Sequence, residues 1–245
     1  MRTDTLKRTL KAITGDRPSD LRVSTGYVDH YYLGPFDFVQ TPIGYVTKTP
    51  VTRDQWRTYA AEPRQWTKNW VNRAFEGELP ANYVSLDMID EFISDLNFTY
   101  PAALENLGQI RLPTYEEAYG LAVADGVRPE RLQDLGTFAW QPWMQPVAMS
   151  KPNAYGLFDT LGCIWQWCSD GPPLEPVEQP GGAVYTYERR YVTGGSWQYK
   201  AEDIVPIGLG GTGRFVYAAA ANVYGRDVGF RLIIPLTVDK QEDPE

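Results

Sequence analysis

NAYGLFDTLGCIWQW, residues 153–167, is the stretch that decides the fold. Gly156 and Gly162 permit tight turns or a close approach of the backbone to another segment. The WQW sequence at its end alternates two tryptophans with a glutamine, and this period of two predicts a short, half-buried strand. The stretch therefore predicts turns that lead into a strand, as in a fold built from short elements.

Three upstream segments carry helix start signals. Thr52 is placed as the N-cap of a helix that contains Trp56. Ser85 caps a run that extends to Leu96 and has apolar residues every three or four positions. A capping box at residues 114–117 begins another helix. Helices beside short strands favour an α+β fold.

The rest of the chain is punctuated by glycine and proline. Residues 27–49 are β-prone and predict two or three short strands, and residues after 125 show only short apolar pieces. We therefore expect a loop-rich α+β domain at residues 26–238, with two or three helices. Residues 1–25 are predicted to form a helical extension, and residues 239–245 a disordered acidic tail.

Composition agrees with a loop-rich fold. The 245 residues include 8 Trp, 16 Tyr and 9 Phe, together with 22 Gly and 19 Pro. Large rings can pin irregular segments, because each ring buries much area at a small entropic cost.

Charge and hydropathy narrow the classes of partner. The net charge of −8 opposes long-range attraction to nucleic acid. No apolar run approaches the roughly 20 residues that cross a bilayer, and the N-terminal sequence has no apolar signal stretch. The sequence therefore predicts neither nucleic-acid binding nor membrane insertion, and a cytoplasmic or virion-associated location.

Four segments in order carry a resemblance to a known family. They are Thr49-Pro50-Val51-Thr52 with Trp56; Arg111-Leu112-Pro113-Thr114-Tyr115-Glu116-Glu117; residues 153–167; and the pair Gly194-Gly195-Ser196-Trp197 and Val228-Gly229-Phe230-Arg231. The ordered set resembles the formylglycine-generating enzyme (sulfatase-modifying factor) family over residues 26–236. The resemblance implies a C-type-lectin-like fold.

The resemblance also implies where catalytic metals would bind. Catalytic members hold copper with two cysteines shortly after G-G-S-W, and those positions are Tyr199 and Ile204 here, neither of which is a thiolate. Relatives of the sulfoxide synthase type use three histidines for iron, whereas this chain has only His30, expected to be a structural residue. We therefore expect no copper or iron. A carboxylate mechanism at Glu202 and Asp203 stays open beside the interpretation of a solvated loop.

Calcium is the ion that the resemblance leaves open. Carried over, its ligands are Asp159, the carbonyls of Gly162 and Ile164, and Gln166. Hard oxygen ligands suit calcium, but a neutral amide at Gln166 weakens the site. The alternative is a metal-free loop to which the Gln166 side chain is hydrogen bonded.

Without the oxidase ligands, the sequence favours recognition by residues 196–227. The layout resembles the variable region of proteins diversified by retroelements, including phage receptor-binding proteins. The partner would be a protein or a glycan. The candidate ligand-binding residues are Trp197, Tyr199, Glu202, Arg214, Tyr217, Asn222, Tyr224 and Arg226.

Two alternatives stay open. One is a divergent oxidoreductase of the same family that lacks the copper-binding cysteine pair. The other is a structural subunit, in which residues 1–14, with apolar residues at helical spacing, would form a homo-oligomer.

Overall fold

The computed structural model describes most of the central part of the chain. The described residues are 29–66, 73–124, 136, 138, 143–174, 176–178, 184–186, 188–204, 215–220, 222 and 224–236. The predicted helix at residues 1–14, the extension at residues 1–25 and the tail at residues 239–245 lie outside them.

Short elements account for the ordered backbone. The described strands are β1 (His30–Leu33), β2 (Phe36–Thr41), β3 (Gly44–Thr47), β4 (Trp165–Trp167), β5 (Pro176–Glu178), β6 (Val184–Thr186), β7 (Arg189–Thr193), β8 (Val216–Ala220), β9 (Val228–Gly229) and β10 (Ile233–Pro235). The described α-helices are α1 (Arg53–Arg57), α2 (Leu86–Thr99), α3 (Pro101–Leu104), α4 (Tyr115–Ala122) and α5 (Ala201–Ile204), with a 3₁₀ helix at Arg73–Glu78. The predicted α+β class is confirmed.

None of the helices within these ranges reaches the length and apolar character that a bilayer span requires.

Two four-stranded sheets organise the described strands. The first has the order β1-β2-β3-β10 with antiparallel pairs, so the end of the domain pairs with its beginning. The second has the order β8-β7-β4-β9, in which β4 pairs antiparallel with β7 and parallel with β9. Strands β5 and β6 form a separate hairpin-like pair. The predicted strands at residues 27–49 are β1, β2 and β3.

The helix starts follow the predicted capping chemistry. The Thr52 side chain accepts a hydrogen bond from the Gln55 backbone, and the Gln55 side chain reciprocates. Ser85 caps α2 through the Met88 backbone N–H. The capping box at residues 114–117 begins α4, as the sequence predicts. Each cap satisfies backbone donors that a helix leaves open at its first turn.

A cluster of aromatic rings joins α1, α2 and the C-terminal segment. The Trp56 and Phe92 rings stack with centroids 4.8 Å apart, and Phe230 meets the Phe92 ring edge-on at 5.7 Å. All three are buried. Such pairs contribute about 0.5–1.5 kcal/mol beyond area burial, so the closing segment of the chain is held in the core.

Strand β4 differs from the sequence prediction in its burial. Trp165, Gln166 and Trp167 are all buried, so the strand is not half-buried. The reason is that β4 lies inside its sheet between β7 and β9, and both faces are covered. Trp197 lies in a turn after β7.

Candidate functional site

A turn after strand β7 begins the surface that the sequence singles out. Gly194 and Gly195 have φ angles of 93° and 80°, a backbone conformation that glycine adopts without strain. The buried Ser196 hydroxyl donates to Asp227 Oδ2 at 3.0 Å and accepts from the Gln198 backbone N–H at 3.4 Å. The turn is thereby fixed to the loop that precedes β9.

Two tyrosine rings pack against the ring of one buried tryptophan. Tyr199 and Tyr217 meet the Trp165 ring nearly at right angles, with centroids 5.6 and 4.9 Å away. Trp165 is buried in β4, whereas Tyr217 is 40% exposed and Tyr199 is half-buried. The core therefore holds both phenol rings in place while part of each meets solvent.

Arg226 covers a second buried tryptophan. Its guanidinium lies over the Trp197 ring at 5.5 Å from the centroid and donates to Gln198 Oε1. Trp197 is only 7% exposed, and its Nε1 has no hydrogen-bond partner among the residues that the structure describes. An unsatisfied buried donor costs stability. The indole N–H of Trp197 is therefore a cost that the packing of its ring must offset.

The loop that carries Arg226 is anchored to the segment before α2. Asn82 Nδ2 donates to the Arg226 carbonyl at 2.7 Å, and the Tyr83 N–H donates to the Gly225 carbonyl at 2.9 Å. The Asn82 side-chain oxygen Oδ1 in turn accepts from the buried Arg53 at 3.0 Å. Sequence reasoning missed Asn82, because nothing local in the sequence connects it to a loop 144 positions away.

We name the accessible part of this region, Tyr199, Tyr217, Arg226 and Asp227, the tyrosine surface. Partial burial raises the pKa of the Asp227 carboxyl, although hydrogen bonds from Ser196 and the charge of Arg226 oppose the rise. Burial, the nearby Asp227 charge and Tyr199 together raise the pKa of Tyr217. Asp227 was absent from the sequence prediction; its position directly after the predicted Arg226 was the one available signal.

The other candidate binding residues have separate positions. Trp197 is buried, and Arg226 lies over its ring. Glu202 is exposed on α5, where Lys200 Nζ lies 3.4 Å from its carboxylate. Asn222 and Tyr224 are exposed in the segment between β8 and β9. Arg214 lies outside the described residues. The structure thus brings together the Trp197, Tyr199, Tyr217 and Arg226 members of the predicted set.

The copper-binding positions of the family resemblance have different surroundings. Tyr199 is part of the tyrosine surface, whereas Ile204 is buried against Gly195, where an added Cβ would lie 2.0 Å from Ile204 Cδ1. The two cysteines are buried and free. Burial raises the pKa of the Cys163 thiol strongly and that of Cys168 to about 12, so both sulfurs are held protonated rather than as metal-binding thiolates.

The proposed calcium ligands form a hydrogen-bonded network with a buried cation. Gln166 Nε2 donates to the Asp159 carbonyl at 2.7 Å, and Gln166 Oε1 accepts from Arg231 Nε at 2.6 Å. The Asp159 carboxylate accepts from the Ala148 N–H and the Ser150 hydroxyl. A guanidinium on the would-be ligand oxygen repels a divalent cation, so these side chains do not fit calcium and match the hydrogen-bonded alternative.

The backbone positions of that site form a γ-turn. The Ile164 N–H donates to the Gly162 carbonyl at 2.7 Å, with Cys163 between them at a φ of 59°. The Gly162 carbonyl is thus engaged within the turn, and the Ile164 side chain packs in the core beside Trp197.

The single histidine is structural in character. His30 Nδ1 lies 2.6 Å from Asp37 Oδ1, and Lys48 contacts the other oxygen of the same carboxylate at 3.2 Å. Within the described part of the chain, no three His, Cys, Asp or Glu side chains form a group that could hold a metal.

Comparison with solved structures identifies the same fold elsewhere. Treponema denticola variable protein 1 superposes with a TM-score of 0.61 at 17% identity, covering 86% of this chain and all of that protein. CarF gives 0.57 at 18% identity over 85% of this chain and 96% of that chain. PvdO from Pseudomonas aeruginosa gives 0.55 at 15% identity over 82% of this chain and 81% of that chain. These likenesses show the fold.

Sequence comparison gives the family. Hercynine oxygenase from Mycolicibacterium smegmatis is 26% identical over 208 residues, which cover 66% of this chain. The chain spans about half the length of that relative, 48%. The pattern of the sulfatase-modifying factor enzyme 1-like domain matches residues 33–236. The chain therefore belongs to the formylglycine-generating enzyme (sulfatase-modifying factor) family.

Proposed function

We propose that this protein is a non-catalytic binding protein, which presents residues 196–227 to a protein or glycan receptor. The observation that carries the proposal is the tyrosine surface itself. Tyr199 and Tyr217 are held against the buried Trp165, so little conformational entropy is lost when they contact a partner. Tyrosine and arginine are the residue types that dominate binding energy at interfaces.

The position of this surface supports the same role. It occupies the sequence segment in which catalytic relatives place their copper-binding cysteines, and here a phenol and a buried aliphatic side chain occupy those positions. The similarity in fold to a protein named as variable supports the further proposal that residues 196–227 are diversified by a retroelement.

Selection of peptide ligands from a random display library tests the proposal. We expect selected peptides to bind the wild-type protein at least about tenfold more tightly than the Tyr199→Ala and Tyr217→Ala variants. Phe98→Ala is the matched control, because Phe98 is 87% exposed on α2, outside residues 196–227. Peptides that bind both tyrosine variants as well as the wild type would refute the surface as the binding site.

A divergent oxidoreductase is the second candidate, and the similarity to hercynine oxygenase favours it. Its test is oxygen consumption by the purified protein with added Cu(I) or Fe(II) and a cysteine-containing peptide. The binding role predicts no uptake beyond that of the free metal. Enzyme-dependent uptake that saturates with peptide would establish the oxidoreductase instead.

A further inference from the structure

We propose that the tyrosine surface binds a cationic side chain of a protein partner, a lysine ammonium or an arginine guanidinium, with the Asp227 carboxylate as its counter-ion. This inference rests on the proposed binding function and assigns the chemistry of its ligand. It is carried by the position of a partly exposed carboxylate near the Tyr217 ring, which packs with Tyr199 against Trp165.

Asp227 is held in place at both ends. Its carbonyl accepts from the Trp165 N–H at 2.9 Å, and its carboxylate accepts from the Ser196 hydroxyl at 3.0 Å. The side chain nevertheless stays half-exposed. A carboxylate fixed in this way can accept a hydrogen bond from a ligand without first losing rotamer freedom.

The charge of Asp227 is only partly compensated inside the protein. Burial raises the pKa of its carboxyl in spite of hydrogen bonds from the Ser196 hydroxyl, its own backbone and the Gln198 side chain and of the neighbouring Arg226 guanidinium. Arg226, the adjacent cation, lies over the Trp197 ring and donates to Gln198. A ligand cation would supply the compensation that these contacts leave incomplete.

The surrounding rings suit a cation rather than an anion. Aromatic faces attract ammonium and guanidinium groups, and Trp197 already carries one guanidinium on this side of the protein. Tyr217 offers a further ring near the carboxylate, and Tyr199 packs against the same Trp165 ring as Tyr217. The net charge of −8 also favours a cationic partner at long range.

Titration of the wild-type protein with small probes tests the inference directly. The probes are N-acetyl-lysine-N-methylamide and its arginine counterpart, with the norleucine and glutamate derivatives as controls. The readout is the ¹³Cγ resonance of Asp227 in protein labelled at aspartate, followed at pH 7 and low salt. We expect this resonance to shift in a saturable way with the two cationic probes alone.

Two variants show whether the carboxylate itself is responsible. We expect Asp227→Asn to weaken binding of the lysine probe about tenfold, the effect of one charge-assisted hydrogen bond. Asp203→Asn on α5 removes the same charge from a position outside the tyrosine surface and is expected to change binding less than twofold. Equal losses in the two variants, or an equal response of Asp227 to the norleucine probe, would overturn the inference.

The outcome separates this inference from the proposed function. If display-selected peptides depend on Tyr199 and Tyr217 while Asp227 does not respond to cations, the binding role stands and the cation assignment fails. If those peptides bind the Tyr199→Ala and Tyr217→Ala variants as tightly as the wild type, the proposed binding role itself is refuted. The wild-type titration needs no variant, so a fold defect in Asp227→Asn leaves the test intact.

Discussion

Replacing Arg231 by methionine removes a buried cation on which several segments depend. The guanidinium donates to Gln166 Oε1 at 2.6 Å, to the Thr47 carbonyl at 2.9 Å and to the Phe158 carbonyl at 2.7 Å. Its positive charge also stabilises the Asp159 carboxylate. Methionine fills similar space but offers no donor, so three acceptors and one charge lose their partner.

The expected loss of stability is large. Each buried acceptor left unsatisfied costs about 1–3 kcal/mol, and the variant leaves three of them. With the added loss of a charge that favours the Asp159 carboxylate, we expect Arg231→Met to cost about 5 kcal/mol. Because small domains have a total stability of about 5–15 kcal/mol, this variant should be close to unfolding at 25 °C.

Urea unfolding followed by tryptophan fluorescence measures the effect. Arg190→Met is the matched control, because Arg190 is partly exposed and pairs with the exposed Glu188; a change of at most about 1 kcal/mol is expected there. The double variant Asp159→Asn, Arg231→Met should recover part of the loss, since it removes the uncompensated charge. An Arg231→Met variant within 1 kcal/mol of wild type, or a double variant less stable than it, would refute the reasoning.

The pH dependence of the free energy of unfolding gives a second measure of how Arg231 affects the Asp159 carboxylate. Burial raises the pKa of Asp159 above its ordinary value of 3.8. Between the unfolded and folded pKa values the native state binds more protons, so the free energy of unfolding falls as pH rises through this window. In Arg231→Met the Asp159 pKa rises further, because a stabilising cation is lost, and the fall extends to higher pH. Asp159→Asn removes this contribution.

Two further predictions concern buried groups. Trp66→Phe should cost about 1 kcal/mol more than Trp197→Phe in urea unfolding, because Trp66 Nε1 donates to the Asn82 backbone carbonyl at 2.8 Å whereas Trp197 Nε1 has no partner within the described part of the chain; equal costs would contradict the hydrogen-bond assignment. Cys163 and Cys168 should react with Ellman's reagent at pH 8 only when the protein is unfolded, since both thiols are buried and protonated; rapid labelling of the native protein would contradict it.

The sequence predicted best those features that are decided within a few residues. The caps at Thr52, Ser85 and Thr114 involve hydrogen bonds to positions three residues later, so local spacing was sufficient. The burial of Gln166 could not be predicted in this way. It depends on strands β7 and β9 and on Arg231, 65 positions later, and the alternating pattern alone favours a half-buried strand.

The same distinction applies to the tyrosine surface. Residue type pointed to Tyr199, Tyr217 and Arg226, because these side chains are common anchors in binding sites. Asp227 was missed because its role depends on a hydroxyl at Ser196, 31 positions earlier. Such a contact arises only when the turn after β7 and the loop before β9 meet in the folded sheet.

Tyr199 and Ile204, the positions at which the family resemblance places copper ligands, differ in how far they are buried. Ile204 packs inward, so closely against Gly195 that glycine is the residue that fits there. The Tyr199 ring packs nearly at right angles against Trp165, and Tyr199 is partly exposed to solvent. Tyr199 also packs against the buried cluster that contains Ile204, so the packing that buries Ile204 also restrains the Tyr199 ring, and the proposed binding role depends on that restraint.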